Sequence, residues 1–140
     1  MAFTNYKYGT GLNNVGSYQA SGKPFVTGSL SAVDGEALKI SFPSVTRWIY
    51  VINHGTGAGN HCKIGFSENG LAGTNFIRIG PQTSNEGTQH SERLEIKVTE
   101  VYFTGSDDFD LIAGLTGIDI ERINNISTDG TNWSGSSGVG

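Results

Sequence analysis

The sequence is poor in the residues that would hold a small protein together by anything other than burial. Cys62 is the one cysteine among 140 residues, so no disulfide can form within the chain. Charged residues make up 16%, against about 25% in typical domains. The fold must therefore rest on apolar burial and backbone hydrogen bonds. A chain of this length can achieve that, because domains of about 150 residues bury roughly two-thirds of their unfolded surface.

Positive charge is scarce as well. Nine lysines and arginines face thirteen acidic residues, giving a net charge of −4, and the basic residues are scattered along the chain. A chain without a basic stripe lacks the counterion-release term that supplies most non-specific affinity for nucleic acid. We therefore expect no nucleic-acid partner.

Long apolar segments are missing too. No run approaches the ~20 residues of a membrane helix, and the first residues show neither the apolar core of a secretory signal nor the arginine-rich pattern of a transit peptide. We expect synthesis in a cytoplasm and no membrane partner, which leaves open a final location outside the cell.

Glycine, in contrast, is abundant. Its 21 positions are about twice the usual share of ~7%, and most of them fall between apolar runs, where turn residues belong. Only the last dozen or so residues are of low complexity. We predict an extended amino-terminal arm over residues 1–23, a folded domain over 24–124 and a flexible Gly/Ser-rich tail over 125–140.

The segment from Ser44 to Phe66 organises the domain, because its first part is apolar on both faces of one extended strand. Side chains alternate across a strand. One face then carries Trp48, Tyr50 and Ile52, and the opposite face carries Val45, Ile49 and Val51. Antiparallel sheets usually leave one face in water. This pattern predicts a central strand whose second face is covered by another layer or by another copy of the chain.

The remaining apolar runs are short and alternate with a period of two. We predict an edge strand from Pro24, a half-buried strand over residues 36–42 after the Asp34-Gly35 turn, a strand over 62–66, a turn at Asn69-Gly70 and a short strand over 76–79. No helical period is present. Roughly eight short strands separated by turn residues predict an all-β antiparallel sandwich of jelly-roll type.

Two later runs carry further detail. Between residues 93 and 104 the apolar side chains occupy even-numbered positions up to Val98 and odd-numbered positions after it. Thr99-Glu100 should therefore form a β-bulge or a corner. A turn over Ser106 to Asp108 is predicted to precede a strand from Phe109 to Leu115.

Two clusters suggest chemistry. His54, His61 and Cys62 border a Gly-rich loop and could meet a Zn²⁺ ion, but the spacing fits no familiar zinc motif and Cys62 shares an apolar face with Ile64. Asp107, Asp108 and Asp110 resemble a calcium loop or a glycosidase pair, but a solvated turn explains them better. We predict no enzymatic activity, no catalytic or metal-ligating residue and no cofactor.

Aromatic residues are spaced along the predicted arm. Such rings bring a large contact area with few rotatable bonds, so they suit the gripping of a neighbouring surface, although they could equally fold back to plug gaps in their own domain. The predicted partner contacts are Phe3, Tyr6, Tyr8 and Tyr18.

Several short runs together resemble one family. They are Asn14-Val-Gly-Ser-Tyr-Gln-Ala-Ser-Gly-Lys-Pro-Phe25, Ile40-Ser-Phe-Pro-Ser-Val-Thr-Arg47, Ile64-Gly-Phe-Ser67, Glu100-Val-Tyr-Phe-Thr104 and Ala113-Gly-Leu-Thr-Gly-Ile118. With these runs the chain resembles small virion structural proteins of tailed bacteriophages, particularly those of marine and cyanobacterial hosts.

The resemblance implies a non-enzymatic module that decorates or cements a capsid, often as a homotrimer. Its partners would be the major capsid protein and its own copies, and it would reside on the virion surface after synthesis in the host cytoplasm. The alternative is a tail-fibre or head-fibre module that binds a host glycan on Trp48, Trp133 or a loop tyrosine. A hydrolase built on the carboxylates of residues 107–110 is a third hypothesis. An aromatic that faces solvent beside acidic or amide groups would favour glycan binding, and aromatics buried at subunit joints would favour a cement protein.

Overall fold

The computed structural model describes residues 22–123 and the backbone of residues 126–127 and 130–131. Within this part the chain forms ten strands, a one-turn α-helix and a 3₁₀ turn over Ile120–Arg122. The strands are β1 (Lys23–Ala32), β2 (Leu38–Ser41), β3 (Thr46–Asn53), β4 (Cys62–Gly65), β5 (Phe76–Ile79), β6 (Gln89–His90), β7 (Glu100–Thr104), β8 (Ser106–Leu115), β9 (Ile126–Ser127) and β10 (Gly130–Thr131). The helix, α1, spans Glu68–Ala72. The predicted arm lies outside the described residues except for its last two, and the predicted tail does so except for the short backbone pair β9–β10.

Eight of the strands form two four-stranded antiparallel sheets. The first sheet has the order β1-β8-β3-β6 and the second has the order β2-β7-β4-β5. Strands β1 and β8, β2 and β7, β3 and β6, and β4 and β5 are therefore neighbours, so the first half of the chain pairs with the second half in reverse order. The prediction of an all-β fold with antiparallel sheets is confirmed.

The core lies where the two sheets face each other. The rings of Phe103 in β7 and Phe109 in β8 lie 4.8 Å apart between centroids, which brings the second sheet directly against the first. Both rings are fully buried, and burial of a side chain of this size stabilises a fold by roughly 1.5–3 kcal/mol. Other members of the core come from both sheets, among them Ile49, Val51 and Leu111 from the first and Ile64, Ile79 and Val101 from the second.

Strand β3 is central, as its pattern predicts. It lies between β8 and β6, with Ile49 and Val51 fully buried and with Trp48, Tyr50 and Ile52 on the opposite face, partly exposed.

The start of β3 differs from the prediction. Thr46 lies opposite Leu115 and Trp48 opposite Gly114, so Arg47 is the extra residue of a bulge and Thr46 takes the inward position assigned to Val45. Val45 is still buried, and its N–H donates to the carbonyl of Ile118.

The change of parity near Thr99-Glu100 is a corner, one of the two predicted alternatives. Before it, Leu94 pairs with Ile49 of the first sheet; after it, the chain continues as β7 of the second sheet. The inward parity changes because the chain moves to the opposite layer.

Of two predicted turns, one is displaced and the other is helical. The reversal expected over Ser106–Asp108 occurs at Gly105, whose φ is +89°, because Ser106 is already buried in β8. The turn expected at Asn69-Gly70 is the one-turn helix α1, which begins after Ser67. The Oγ of Ser67 accepts the N–H of Gly70 at 2.8 Å.

No helix among the described residues has the length and apolar character needed to cross a membrane.

Candidate functional site

The loop with two histidines and a cysteine does not bring its three groups together. Cys62 belongs to β4 and points into the core, fully buried, whereas His54 follows β3 and contacts Asp110 on the other side of the first sheet. Burial raises the pKa of the Cys62 thiol to about 12, so it stays protonated at neutral pH. Within residues 22–123 no group of three His, Cys, Asp or Glu side chains could hold a metal ion.

His54 and Asp110 form a polar contact that ties three strands together. The imidazole Nε2 lies 2.9 Å from Oδ2 of Asp110, and Oδ1 of the same carboxylate accepts the N–H of Ser29 at 2.8 Å. Ser29 has a φ of +53° and lies at the bulge of β1. The carboxylate thus fixes the irregular part of β1 and the end of β3 to β8.

The other two carboxylates of this run point away from the core. Asp107 and Asp108 are exposed, and Phe109 between them and Asp110 is fully buried. They lie at the start of β8 and not in the solvated turn that the sequence predicts, because the chain reverses one residue earlier, at Gly105.

Asn53 is a buried polar residue whose role sequence reasoning missed. Its Nδ2 donates to the carbonyls of Asn60 and Gly80 at 2.9 and 2.8 Å, and its Oδ1 accepts the N–H of Gly55 at 3.1 Å and the hydroxyl of Ser106 at 2.6 Å. An asparagine at the end of an apolar strand resembles an ordinary turn residue. Here it fastens the 54–61 loop to both sheets.

The outer face of the first sheet carries a set of neighbouring apolar side chains that point away from the core. Pro24 and Trp48 flank Gly114, and Val26 lies beside Ile112, which lies beside Tyr50. Val26 is 68% exposed. We call this surface the apolar face and define it by Pro24, Val26, Trp48, Tyr50, Ile52 and Ile112.

The ends of the apolar face are polar. His90 of β6 pairs with Ile52 and stacks on the ring of Tyr50, with centroids 5.5 Å apart and an angle of 30° between the rings. The His54–Asp110 pair lies at the same end of β3. At the other end lies Arg47, whose Nε is 3.6 Å from Oε2 of Glu95.

The outer face of the second sheet is different, since charge and a helix cover it. Lys39 of β2 bonds to Glu100 of β7 at 2.8 Å, and the hydroxyl of Tyr102 donates to the same carboxylate at 3.0 Å. Burial and this hydrogen bond raise the pKa of Tyr102. Leu71 of α1 packs over Gly65 of β4. The contrast singles out the apolar face of the first sheet as the candidate interaction surface.

The residues predicted to contact a partner, Phe3, Tyr6, Tyr8 and Tyr18, lie outside the described residues, as does Trp133. Trp48 belongs to the apolar face. The sequence alone predicts that three residues of the apolar face share one side of β3. It does not predict that Val26 and Ile112 belong to the same face, because their positions depend on the register of β1 and β8.

Comparisons with protein-family models, with curated proteins and with solved structures found no match to this chain.

Proposed function

We propose that this chain is a non-enzymatic structural protein of a phage virion, a capsid decoration or cement protein that binds the lattice of the major capsid protein as a homotrimer. The observation that carries the proposal is the place where the amino-terminal segment joins the fold. Residue 22 leads directly into β1, at the rim of the apolar face and beside Pro24. A segment with four aromatics therefore joins the fold beside a sheet surface with several neighbouring apolar side chains, and an aromatic segment beside such a surface suits assembly with a partner.

The strand order gives separate support at the level of the fold. A pairing of β1 with β8, β2 with β7, β3 with β6 and β4 with β5 is what two interlocked Greek keys produce, so we propose a jelly roll. Jelly rolls occur in viral capsid proteins and in lectins. This likeness rests on fold alone and does not specify a function.

The proposed mechanism is mechanical. Contacts that span joints between capsid subunits bury apolar area worth about 25 cal/mol per Å². A trimer that attaches through several arms binds the lattice more tightly than a single chain, because each arm after the first binds as part of an already attached molecule. No reacting group is needed, and the arm residues Phe3, Tyr6, Tyr8 and Tyr18 supply the contact area.

Glycan binding is the second candidate, and one observation favours it. Tyr50 is an accessible aromatic that stacks on His90, with the carboxylate of Asp110 near the same end of the strand. Sugar rings stack on aromatic faces while carboxylates and imidazoles bind their hydroxyls. The ring lies on the face of a sheet and not at a loop tip, so the arrangement meets only part of the condition set for a glycan site.

Deletion of residues 2–20 is expected to abolish attachment to capsids that lack this protein, with the domain still folded. The deletion removes all four arm aromatics but ends before β1. Attachment is measured by co-sedimentation, and folding by circular dichroism and thermal melting.

A matched control carries Asn5→Ser, Thr10→Ser and Asn13→Ser in the full-length arm, which retains its aromatics. This variant should bind like the native chain. Unchanged attachment of the deletion variant would remove the arm from the mechanism. Attachment that depends on Tyr50 but not on the arm, and that free glycan inhibits, would favour the second candidate.

A further inference from the structure

We infer that the Asp34-Gly35 turn is a site of spontaneous backbone modification, at which Asp34 converts to isoaspartate, and that the fold protects Asn69-Gly70 from the same chemistry. Both pairs are turn motifs in the sequence. In a flexible chain an Asn-Gly pair reacts faster than an Asp-Gly pair, because ammonia leaves a neutral amide more readily than water leaves a carboxylate. The folded structure reverses this order. Neither reaction depends on what the protein binds.

The chemistry begins when the backbone nitrogen of Gly35 attacks Cγ of Asp34. A bond forms between these two atoms, and one carboxyl oxygen leaves as water with the proton of the N–H and the proton of the carboxylic acid. Water then opens the cyclic imide. Opening at the side-chain carbonyl restores aspartate, and opening at the main-chain carbonyl leaves the chain linked through Cγ, as isoaspartate. Water is the one co-reactant.

Attack requires a backbone nitrogen that the fold does not already hold. The turn runs from Val33 to Glu36, and its hydrogen bond joins the N–H of Glu36 to the carbonyl of Val33 at 3.2 Å. Gly35 has a φ of +91°, as the third residue of a type II turn requires. Its own N–H donates to no acceptor among the described residues. The nucleophile is therefore available in the folded protein.

The carboxyl group of Asp34 is free to turn toward that nitrogen. The side chain is 75% exposed, and its Oδ1 lies 3.2 Å from Nζ of Lys63. An ion pair with one such exposed partner restrains a side chain only weakly. A Cβ added to Gly35 would meet no atom within 4 Å, so the peptide between residues 34 and 35 can rotate and cyclise without collision. Both reacting groups are thus accessible.

The peptide between Asn69 and Gly70 is held in α1 instead. The N–H of Gly70 donates to Oγ of Ser67 at 2.8 Å, and the carbonyl of Asn69 accepts the N–H of Gly73 at 3.0 Å. Gly70 is buried, although the side chain of Asn69 is exposed. Attack on Cγ of Asn69 would require the Gly70 nitrogen to leave Ser67 and the peptide to rotate. Deamidation at residue 69 therefore needs local opening of the helix.

Modification at residue 34 would change the surface around the turn. Isoaspartate adds a methylene to the main chain and moves the carboxylate, so the present contact between Asp34 and Lys63 would be lost. These two residues line a cavity of about 190 Å³ together with Leu71 and Ala72 at the end of α1. The modified turn would therefore reshape this cavity.

The test follows both sites in the full chain, kept in water enriched in the heavy isotope of oxygen. Each hydrolysis of an imide places one solvent oxygen in the product, so peptide mass mapping measures the reaction at both residues. In the folded protein the peptide with Asp34 is expected to gain label several-fold faster than the peptide with Asn69. In urea the order should reverse. Asp119 is the control for direct exchange, because it is exposed but is followed by the β-branched Ile120 and should gain no label.

Three results would overturn the inference. They are the absence of label at Asp34, faster labelling of Asn69 than of Asp34 in the folded protein, and the same order of the two sites with and without urea.

Ser67→Ala identifies what protects Asn69. Loss of an N-cap side chain shifts a helix toward its open form by about fivefold, so labelling at Asn69 should rise by about that factor while labelling at Asp34 stays constant. Thr83→Ala is the matched control, since it removes a hydroxyl that accepts the N–H of Glu86 at 3.0 Å in an exposed loop. It should change neither site. Unchanged labelling at Asn69 in Ser67→Ala, or an equal rise at both sites, would contradict protection by α1.

Discussion

Asn53→Leu is expected to lower the free energy of unfolding by about 3–5 kcal/mol, a large fraction of the stability of a domain of this size. Leucine has the same number of side-chain heavy atoms and the same branch point at Cγ, but it can neither donate nor accept a hydrogen bond. The change would leave the carbonyls of Asn60 and Gly80, the N–H of Gly55 and the hydroxyl of Ser106 without their partner in a buried place. Each unpaired buried group costs about 1–3 kcal/mol. Urea unfolding followed by circular dichroism measures the loss.

The control is Asn85→Leu. Asn85 is exposed in the polar loop that precedes β6, so the same substitution there should change stability by no more than about 0.5 kcal/mol. A similar small effect at residue 53 would mean that the buried network around Asn53 does not hold the loop to the sheets.

Gly105→Ala is expected to destabilise the domain by about 3 kcal/mol or more, or to prevent its folding. Gly105 makes the reversal between β7 and β8 with a φ of +89°, where an L side chain is strained. A Cβ at this position would also collide with the carbonyl oxygen of His61, a backbone atom that cannot swing away. The first cost arises within the residue's own backbone and the second from its contact with His61. Thermal melting of the purified variant gives the result.

Gly35→Ala provides a closely matched comparison. Gly35 has a φ of +91°, yet a Cβ there would meet no atom within 4 Å. Gly35→Ala should therefore lower the free energy of unfolding only by the strain of placing an L residue in the left-handed region, about 1–2 kcal/mol. Equal losses of stability in Gly35→Ala and Gly105→Ala would show that the close approach of residues 61 and 105 adds nothing to the cost of the substitution at residue 105.

The sequence predicts the layers of this fold better than its connections. Alternation placed Ile49 and Val51 on the inner face of β3, and the parity change after Val98 indicated the corner, because both depend only on the two-residue period of a strand. The bulge at Arg47 was missed, since Val45 is as apolar as the residues that do face the core. Strand partners and register come from contacts between residues far apart in the chain, which a local pattern does not contain.

The candidate site shows the same limit. The outward position of Trp48, Tyr50 and Ile52 can be predicted from β3 alone. Val26 and Ile112 complete the face only because β1 and β8 pair with β3 in one register. The role of Asn53 needed the folded positions of Gly80 and Ser106, which lie 27 and 53 residues further along the chain.

The most direct test of the account is the copy number of this chain in purified virions, measured by quantitative mass spectrometry against the major capsid protein. A decoration or cement protein should be present in a fixed ratio to the major capsid protein, with one copy or one trimer for each lattice position. A count of only a few copies per particle, or absence from the virion, would contradict that role, and a small fixed number would indicate a fibre instead.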